Sequence, residues 1–303
     1  MPRIANFYEF RRQEALLDFE VDPFKGATMA WAEVGLNYAR NFGSDTEGGL
    51  TIGGSIKYLQ GFQGFYAENA SEALARRLSK DSLRGEAFRA ETAFTTNYTD
   101  GEPSINGSGV GIDLGMVLTV PSDDNDKPYS WRLGGALLDL GRIYFSKNAE
   151  VHGLTLREPI VLSSQDFENL DANDPREDAF NRFNQNILGK LDSTLKGSSF
   201  AIGLPTALSL QADYAFTKEI FINATLMQRL ATGKSALSRD NLLAITPRYE
   251  TRWLGASLPI SFYNWQQMRV GFAARLAFLT IGTDHLFSWI GNGELTGTDF
   301  ILP

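Results

Sequence analysis

The stretch MRVGFAARLAFLTIG, Met268 to Gly282, constrains the fold more than any other part of the chain. Met268, Val270, Phe272, Ala274, Leu276 and Phe278 are apolar, while Arg269, Gly271, Ala273, Arg275 and Ala277 are charged or small. A period of two residues puts alternate side chains on opposite faces of a β-strand. The same pattern recurs in MAWAEVGLNYARNF, LTIGGSIKYLQGF, GVGIDLGMVLTVP and LPTALSLQADYAF, and less regularly in EIFINATLMQRL and NLLAITPRYETRW. The first two flank the turn-rich GSDTEGG, Gly43 to Gly49, and read as a hairpin.

An alternating strand separates either core from water or lipid from a lumen. The polar faces here carry Gly, Ala, Ser and occasional Arg in place of the dense Lys and Glu of a solvated sheet, which favours lipid and lumen. No run approaches the roughly 18 apolar residues of a membrane-spanning helix, so a chain of this kind crosses lipid as a closed barrel. The expected fold is all-β, an antiparallel transmembrane β-barrel, with about ten strands here and about 12–14 when complete. A soluble β-sandwich, with the same faces as core and solvent, is the alternative.

Composition narrows the chemistry. The 303 residues include no Cys, which excludes disulfides and thiolate chemistry, and only two His, His152 and His285, both expected in loops. A net charge of −8 argues against nucleic acid. PSDDNDKP, Pro121 to Pro128, is a solvated turn that lacks the glycine and distant glutamate of a calcium loop. The glycines of GSGVGIDLG open a strand with no helix after it, so they serve bulky neighbours or sheet bending and do not form a dinucleotide fingerprint. No nucleophile elbow is found. The chain is expected to be no enzyme and to need no cofactor or metal.

Two excursions read as helical. From about 142 to 198 runs a long loop in which a helix is expected over 174–196. Asp174 caps it, Pro175 opens it, and Phe180, Phe183, Ile187, Leu191 and Leu195 form a stripe ending at Gly197. This helix would narrow or plug the lumen. A shorter one is expected in SEALARRLSKDSLRG, from Ser71. Long connections opposite short turns match the asymmetry of outer-membrane barrels.

Five phrases resemble a family of outer-membrane barrels from Bacteroidota, largely uncharacterised and sometimes fused to a peptidoglycan-binding domain. They are GGLTIGGSIKYLQGFQGFY (Gly48–Tyr66), GSGVGIDLGMVLTVP (Gly107–Pro121), RLGGALLDLGRIYF (Arg132–Phe145), GLPTALSLQADYAF (Gly203–Phe216) and ARLAFLTIGTDHLF with a later GTDF (Ala274–Phe300). The resemblance implies a barrel of the broad fatty-acid-transporter-like type and supplies no catalytic residues. Family members begin with a signal peptide and further strands. The present chain is therefore expected to be a single barrel domain, 1–303, truncated at both ends, whose native location is the outer membrane.

If the apolar faces meet lipid, then Lys57, Asp113, Arg229, Arg248, Glu250, Arg252, Arg269 and Arg275 line the lumen. There they either brace the wall as mutual ion pairs or form a polar conduit. Phe42, Phe62, Phe65, Tyr66, Phe262, Tyr263 and Trp265 would be interface aromatics. The expected role is passage or binding of a small hydrophobic or anionic solute, with outer-membrane lipid as the standing partner. A non-transporting barrel that anchors periplasmic or secretion-system proteins is the second reading, and a soluble extracellular β-sandwich binding protein the third.

Overall fold

A computed structural model describes residues 3–4, 18–44, 48–69, 73–79, 82–86, 89–97, 104–124, 126–155, 159–163, 194–230, 233, 235–283 and 299–301. Among these the regular secondary structure is all strand, with no helix. It opens with β1 (Arg3–Ile4), β2 (Asp18–Val21) and a long hairpin, β3 (Phe24–Ser44) and β4 (Gly48–Asn69). Then come β5 (Ala73–Arg77), β6 (Ser82–Glu86), β7 (Arg89–Thr95), β8 (Gly107–Val120) and β9 (Trp131–Phe145). The next four are β10 (Ala149–Thr155), β11 (Ile160–Ser163), β12 (Leu195–Gly197) and β13 (Phe200–Gly203). β14 (Ala207–Ala215), β15 (Ile220–Arg229), β16 (Leu242–Glu250), β17 (Leu254–Ser257) and β18 (Ile260–Tyr263) come after them. The last are β19 (Gln267–Val270), β20 (Phe272–Leu276), β21 (Leu279–Thr283) and β22 (Asp299–Ile301).

β1, β2, β5, β6 and β11 form a small sheet, and the other strands form one large sheet paired antiparallel throughout its registers. Closure of the large sheet into a barrel is not seen among the described residues. Its hairpins obey the turn chemistry. β3 and β4 meet at Gly43 opposite Gly49, as the turn-rich segment predicts. β8 and β9 join across the Asp/Asn turn, where Asp124 Oδ1 accepts from Asp126 N at 3.1 Å.

Connections differ sharply between the two ends. At one end β3 meets β4, and the short turns 121–130, 216–219, 251–253 and 277–278 join the following strand pairs. At the other, long stretches of sequence separate β4 from β8, β9 from β13 and β15 from β16, and one short turn, 264–266, joins β18 to β19. The β3–β4 hairpin is flush with its neighbours at the short-turn end, where Gly49 pairs with Thr119, and outruns β8 at the other. Its excess length, Phe24–Ala30 and Phe65–Asn69, pairs onward to β7, which pairs with β10, and β10 with β12.

Alternation carries across the sheet in register. One rung reads Arg40, Ile52, Met116, Gly135, Leu210, Leu226, Leu243, Phe262 and Met268. A parallel rung reads Phe42, Leu50, Leu118, Leu133, Ala212, Ala224, Ile245, Ile260 and Val270. Much of this apolar face is bare: Val34 is 75%, Leu36 83%, Met268 62% and Leu276 63% exposed. The opposite, polar face carries Asn37, Ser55, Asp113, Gln211, Asp213, Thr246 and Arg248.

Several expectations need correcting. SEALARRLSKDSLRG is no helix where it is described: Ala73–Arg77 and Ser82–Glu86 are paired strands. β9 runs on to Phe145, and Ala149–Thr155 and Ile160–Ser163 are strands within the expected long loop. Leu195, assigned to the helix 174–196, begins β12; residues 164–193 lie outside the described residues, as does His285. Met268–Gly282 is not one strand. Gly271, opposite Pro259, interrupts it, and Ala277 at φ 52° turns the chain back into β21. His152 is not a loop residue. It lies buried on β10, stacked on Phe94 with centroids 5.5 Å apart, its ring nitrogens bonded to Thr194 and Glu150.

Candidate functional site

The polar face is divided into layers by two bulges. On β4 the register with β3 shifts at Ala30/Trp31, so Phe62 is an extra residue; before it Lys57, Leu59 and Gly61 share the polar face, after it Gly64 and Tyr66. On β9 the register with β8 shifts between Ile112 and Leu114, the extra residue falling at Leu138–Asp139. Before it Gly134 and Ala136 share the polar face, after it Gly141, Ile143 and Phe145. Asp139 itself sits in the left-handed region at φ 54°. Both bulges break a strict two-residue period, so the sequence pattern misplaces the residues beyond them.

Past the bulges, at the long-connection end, the polar face is filled by an apolar plug. Leu59, Tyr66, Ile143, Phe145, Phe200, Ile202 and Leu204 are its buried core. Phe145 and Phe200 stack with centroids 5.1 Å apart, and Tyr66 meets Phe200 edge-on at 5.9 Å. Glycines make room for them. A Cβ at Gly61 would lie 2.7 Å from Ile143 and Phe145, and one at Gly64 2.8 Å from Phe145. Gly107, in the GSGVGIDLG phrase where such packing is expected, lies beside the same rings, its Cβ position 3.0 Å from Phe145 and 3.1 Å from Ile143.

A charged layer borders the plug. Lys57 Nζ lies 2.8 Å from Asp113 Oδ2, 2.9 Å from Asp139 Oδ1 and 3.7 Å from Glu33 Oε1. Asp113 also accepts from Ser55 Oγ at 2.8 Å and from the Asp139 N–H at 2.7 Å. Arg239, on the span between β15 and β16, reaches Asp139 Oδ2 at 2.6 Å. That span is tied down again where Ser235 Oγ donates to the Ala201 carbonyl and Leu237 N to the Gly203 carbonyl. Paired charges of this kind offset the cost of leaving bulk water.

A second charged group stands at the short-turn end. Arg248 pairs with Asp213 at 2.8 Å and Glu250 at 3.1 Å, donates to Tyr129 Oη at 3.2 Å, and lies over the Phe221 ring at 4.9 Å. Burial, then the Asp213 carboxylate, raises the Tyr129 phenol above its usual range. Arg275 donates to the Thr251 carbonyl at 3.0 Å beside a recess of about 460 Å³ that Arg252 and Glu250 also line.

The eight lumen candidates therefore do not converge. Lys57 and Asp113 meet; Arg248 and Glu250 meet with Arg275 nearby; Arg252 belongs to a turn, over the Trp253 ring. Arg229 ends β15 and donates to Ser238, while Arg269 lies over Tyr263 at the far end. Of the aromatics, Phe42 and Phe262 are exposed on the apolar face, and Trp265 is exposed in a turn. Phe62, at the bulge, and Phe65, in the hairpin extension, are half-buried. Tyr66 is inside the plug, its hydroxyl donating to Glu91 at 2.7 Å, because the Phe62 bulge reverses its face. Tyr263 alternates with Phe262 and so faces away from the apolar side. Asp139, Arg239, Glu33 and Ser55 complete the charged layer without being lumen candidates in the sequence: alternation places Glu33 and Ser55 on polar faces, the Leu-Asp-Leu-Gly phrase contains Asp139, and nothing in the sequence points to Arg239.

Between the two charged groups the polar face forms a groove of about 500 Å³ across β3, β4, β8, β9 and β14. Small residues, among them Ala39, Gly53, Gly115, Gly134, Ala136 and Ser209, share its lining with larger apolar ones such as Val117 and Leu138.

Comparison with curated proteins finds no match. Residues 4–284 match a family of unknown function, DUF5723, and the chain belongs to that family.

Proposed function

We propose that the chain is an outer-membrane β-barrel protein that binds a small solute within its lumen. The observation that carries this reading is the apolar face, continuous in register from β3 to β20 and bare of any cover among the described residues. Each Leu, Ile, Val or Phe moved from water to an apolar surround gains about 1.5–3 kcal/mol, and lipid supplies that surround. Polar groups on the other face then line the lumen, the arrangement of a membrane barrel. Short turns at one end face the periplasm and long spans face outward. The plug and its charged border favour binding over free passage, since they occupy the polar face at the outward end.

The test is expression of the full chain behind an export signal, then gel migration of outer-membrane extracts with and without boiling. A compact, fast band lost on boiling is expected. Recovery in the soluble fraction with no heat-dependent shift would sink the membrane reading. A second reading, a barrel that anchors envelope partners, draws on the hairpin extension with β7, β10 and β12, the part of the large sheet that runs on past β8.

A further inference from the structure

Glycine inside a strand costs roughly 0.5–1 kcal/mol relative to alanine, so each one needs a physical reason. Gly61 and Gly64 have theirs in the rings of the plug. Gly115 and Gly134 do not. A Cβ at Gly115 would meet nothing closer than Ala136 Cβ at 3.5 Å, and one at Gly134 nothing closer than Gln211 Cβ at 3.6 Å, both ordinary contacts. The two glycines lie diagonally across β8 and β9 in the groove, Gly115 opposite Ala136 and Gly134 opposite Val117, and its volume falls within the range of about 300–1,000 Å³ typical of small-molecule pockets. A strand glycine with room above it marks a place where something else approaches the backbone closely.

The groove's charges are already engaged. Asp113, the one ionised group lining it, is held by Lys57, Ser55 and the Asp139 N–H. The remaining polar wall is neutral: Asn37, Thr51, Ser209 and Gln211 can exchange hydrogen bonds without a formal charge. A carboxylate or phosphate entering here would lie near Asp113 and find Lys57 occupied. We propose that the groove is a binding site for a neutral, mainly apolar molecule with a hydroxyl or amide head, lying flat over Gly115 and Gly134. The site rests on the barrel reading, because the groove becomes an enclosed compartment only when the polar face is a lumen.

The chain contains no cysteine, so Gln211→Cys introduces a single reporter on the groove wall. Its alkylation by a maleimide is measured in proteoliposomes with decanol or decanoate, and Asp123→Cys in the β8–β9 turn serves as the outside control. Decanol at about ten times its Kd is expected to slow alkylation of Gln211→Cys roughly tenfold, by occupancy alone. Decanoate should leave the rate unchanged, and Asp123→Cys should respond to neither. Adding Gly115→Leu and Gly134→Leu should abolish the decanol effect while the compact gel band persists. Equal slowing by both compounds, slowing at Asp123→Cys, or no slowing in a protein that keeps its compact band overturns the site. Absence of the heat-dependent band in the parent protein overturns the barrel reading instead, and is read on the gel before any alkylation.

Discussion

At the long-connection end, Gly61 and Gly64 lie under the rings of Phe145 and Phe200, with no space for one more carbon. Farther along the same face, Gly115 and Gly134 lie under open groove. The residue type and the face are the same, yet the two sets do opposite work. In the plug, glycine is what the packing leaves over; in the groove, its absent side chain is the space itself. The difference teaches that a glycine's role is read from what its missing Cβ would touch, and that this face is packed with rings at one end and grooved farther along.

The sharpest way to break the comparison is to empty the filled side. Phe145→Ala should cost about 3–5 kcal/mol, seen as a fall in the urea midpoint of the compact band, since a fully buried ring leaves a cavity. A loss under about 1 kcal/mol would mean that the plug is not tightly packed. Next in size is the border between the packed end and the groove. Lys57→Met leaves Asp113 and Asp139 facing each other, and should cost about 2–3 kcal/mol, below the fully buried case because both acids are partly exposed. Asp113→Asn placed on top should recover part of that loss. Gly64→Ala forces a methyl against Phe145 and should destabilise by about 1–3 kcal/mol. Gly115→Ala, the smallest change, should move the midpoint the other way by up to about 1 kcal/mol. If the last two shift in the same direction, the packed end and the groove do not differ as described.

Much of the sheet is legible in the sequence and much of its interior is not. Period-two alternation assigns faces correctly for Val34, Ile52, Met116, Leu210 and Phe262, and the glycine and aspartate clusters mark the hairpin turns. Alternation reports only which side a residue takes, not whether that side is filled, so it gives no sign of the plug. It also fails wherever one residue is added. Tyr66, after the Phe62 bulge, is expected among the interface aromatics and is instead buried. Lys57 and Asp113 are legible as polar-face residues. Their partners Asp139 and Arg239, however, stand 82 and 100 residues along the chain from Lys57 and Asp139 respectively, beyond the reach of any local pattern. The segment from Ser71 has a helical spacing of apolar residues, and strand pairing to β2 and β11 overrides it.

Asp139 makes one part of the wall separable from the rest. Leu138 and Asp139 together stand where the partner strand has the single residue Asp113, so Leu140 and its successors keep the partners and faces that a strand shorter by one residue would give them. Removing Asp139 would leave Leu138 alone opposite Asp113, with Leu140 still on the apolar side and Ile143 and Phe145 still in the plug. The loss would be one carboxylate, and with it the anchor shared by Lys57 and Arg239. At this point the strand can change in length without changing in pattern. The charge on this polar face can therefore be edited there by a single codon gained or lost, while the apolar cluster beyond it stays in place.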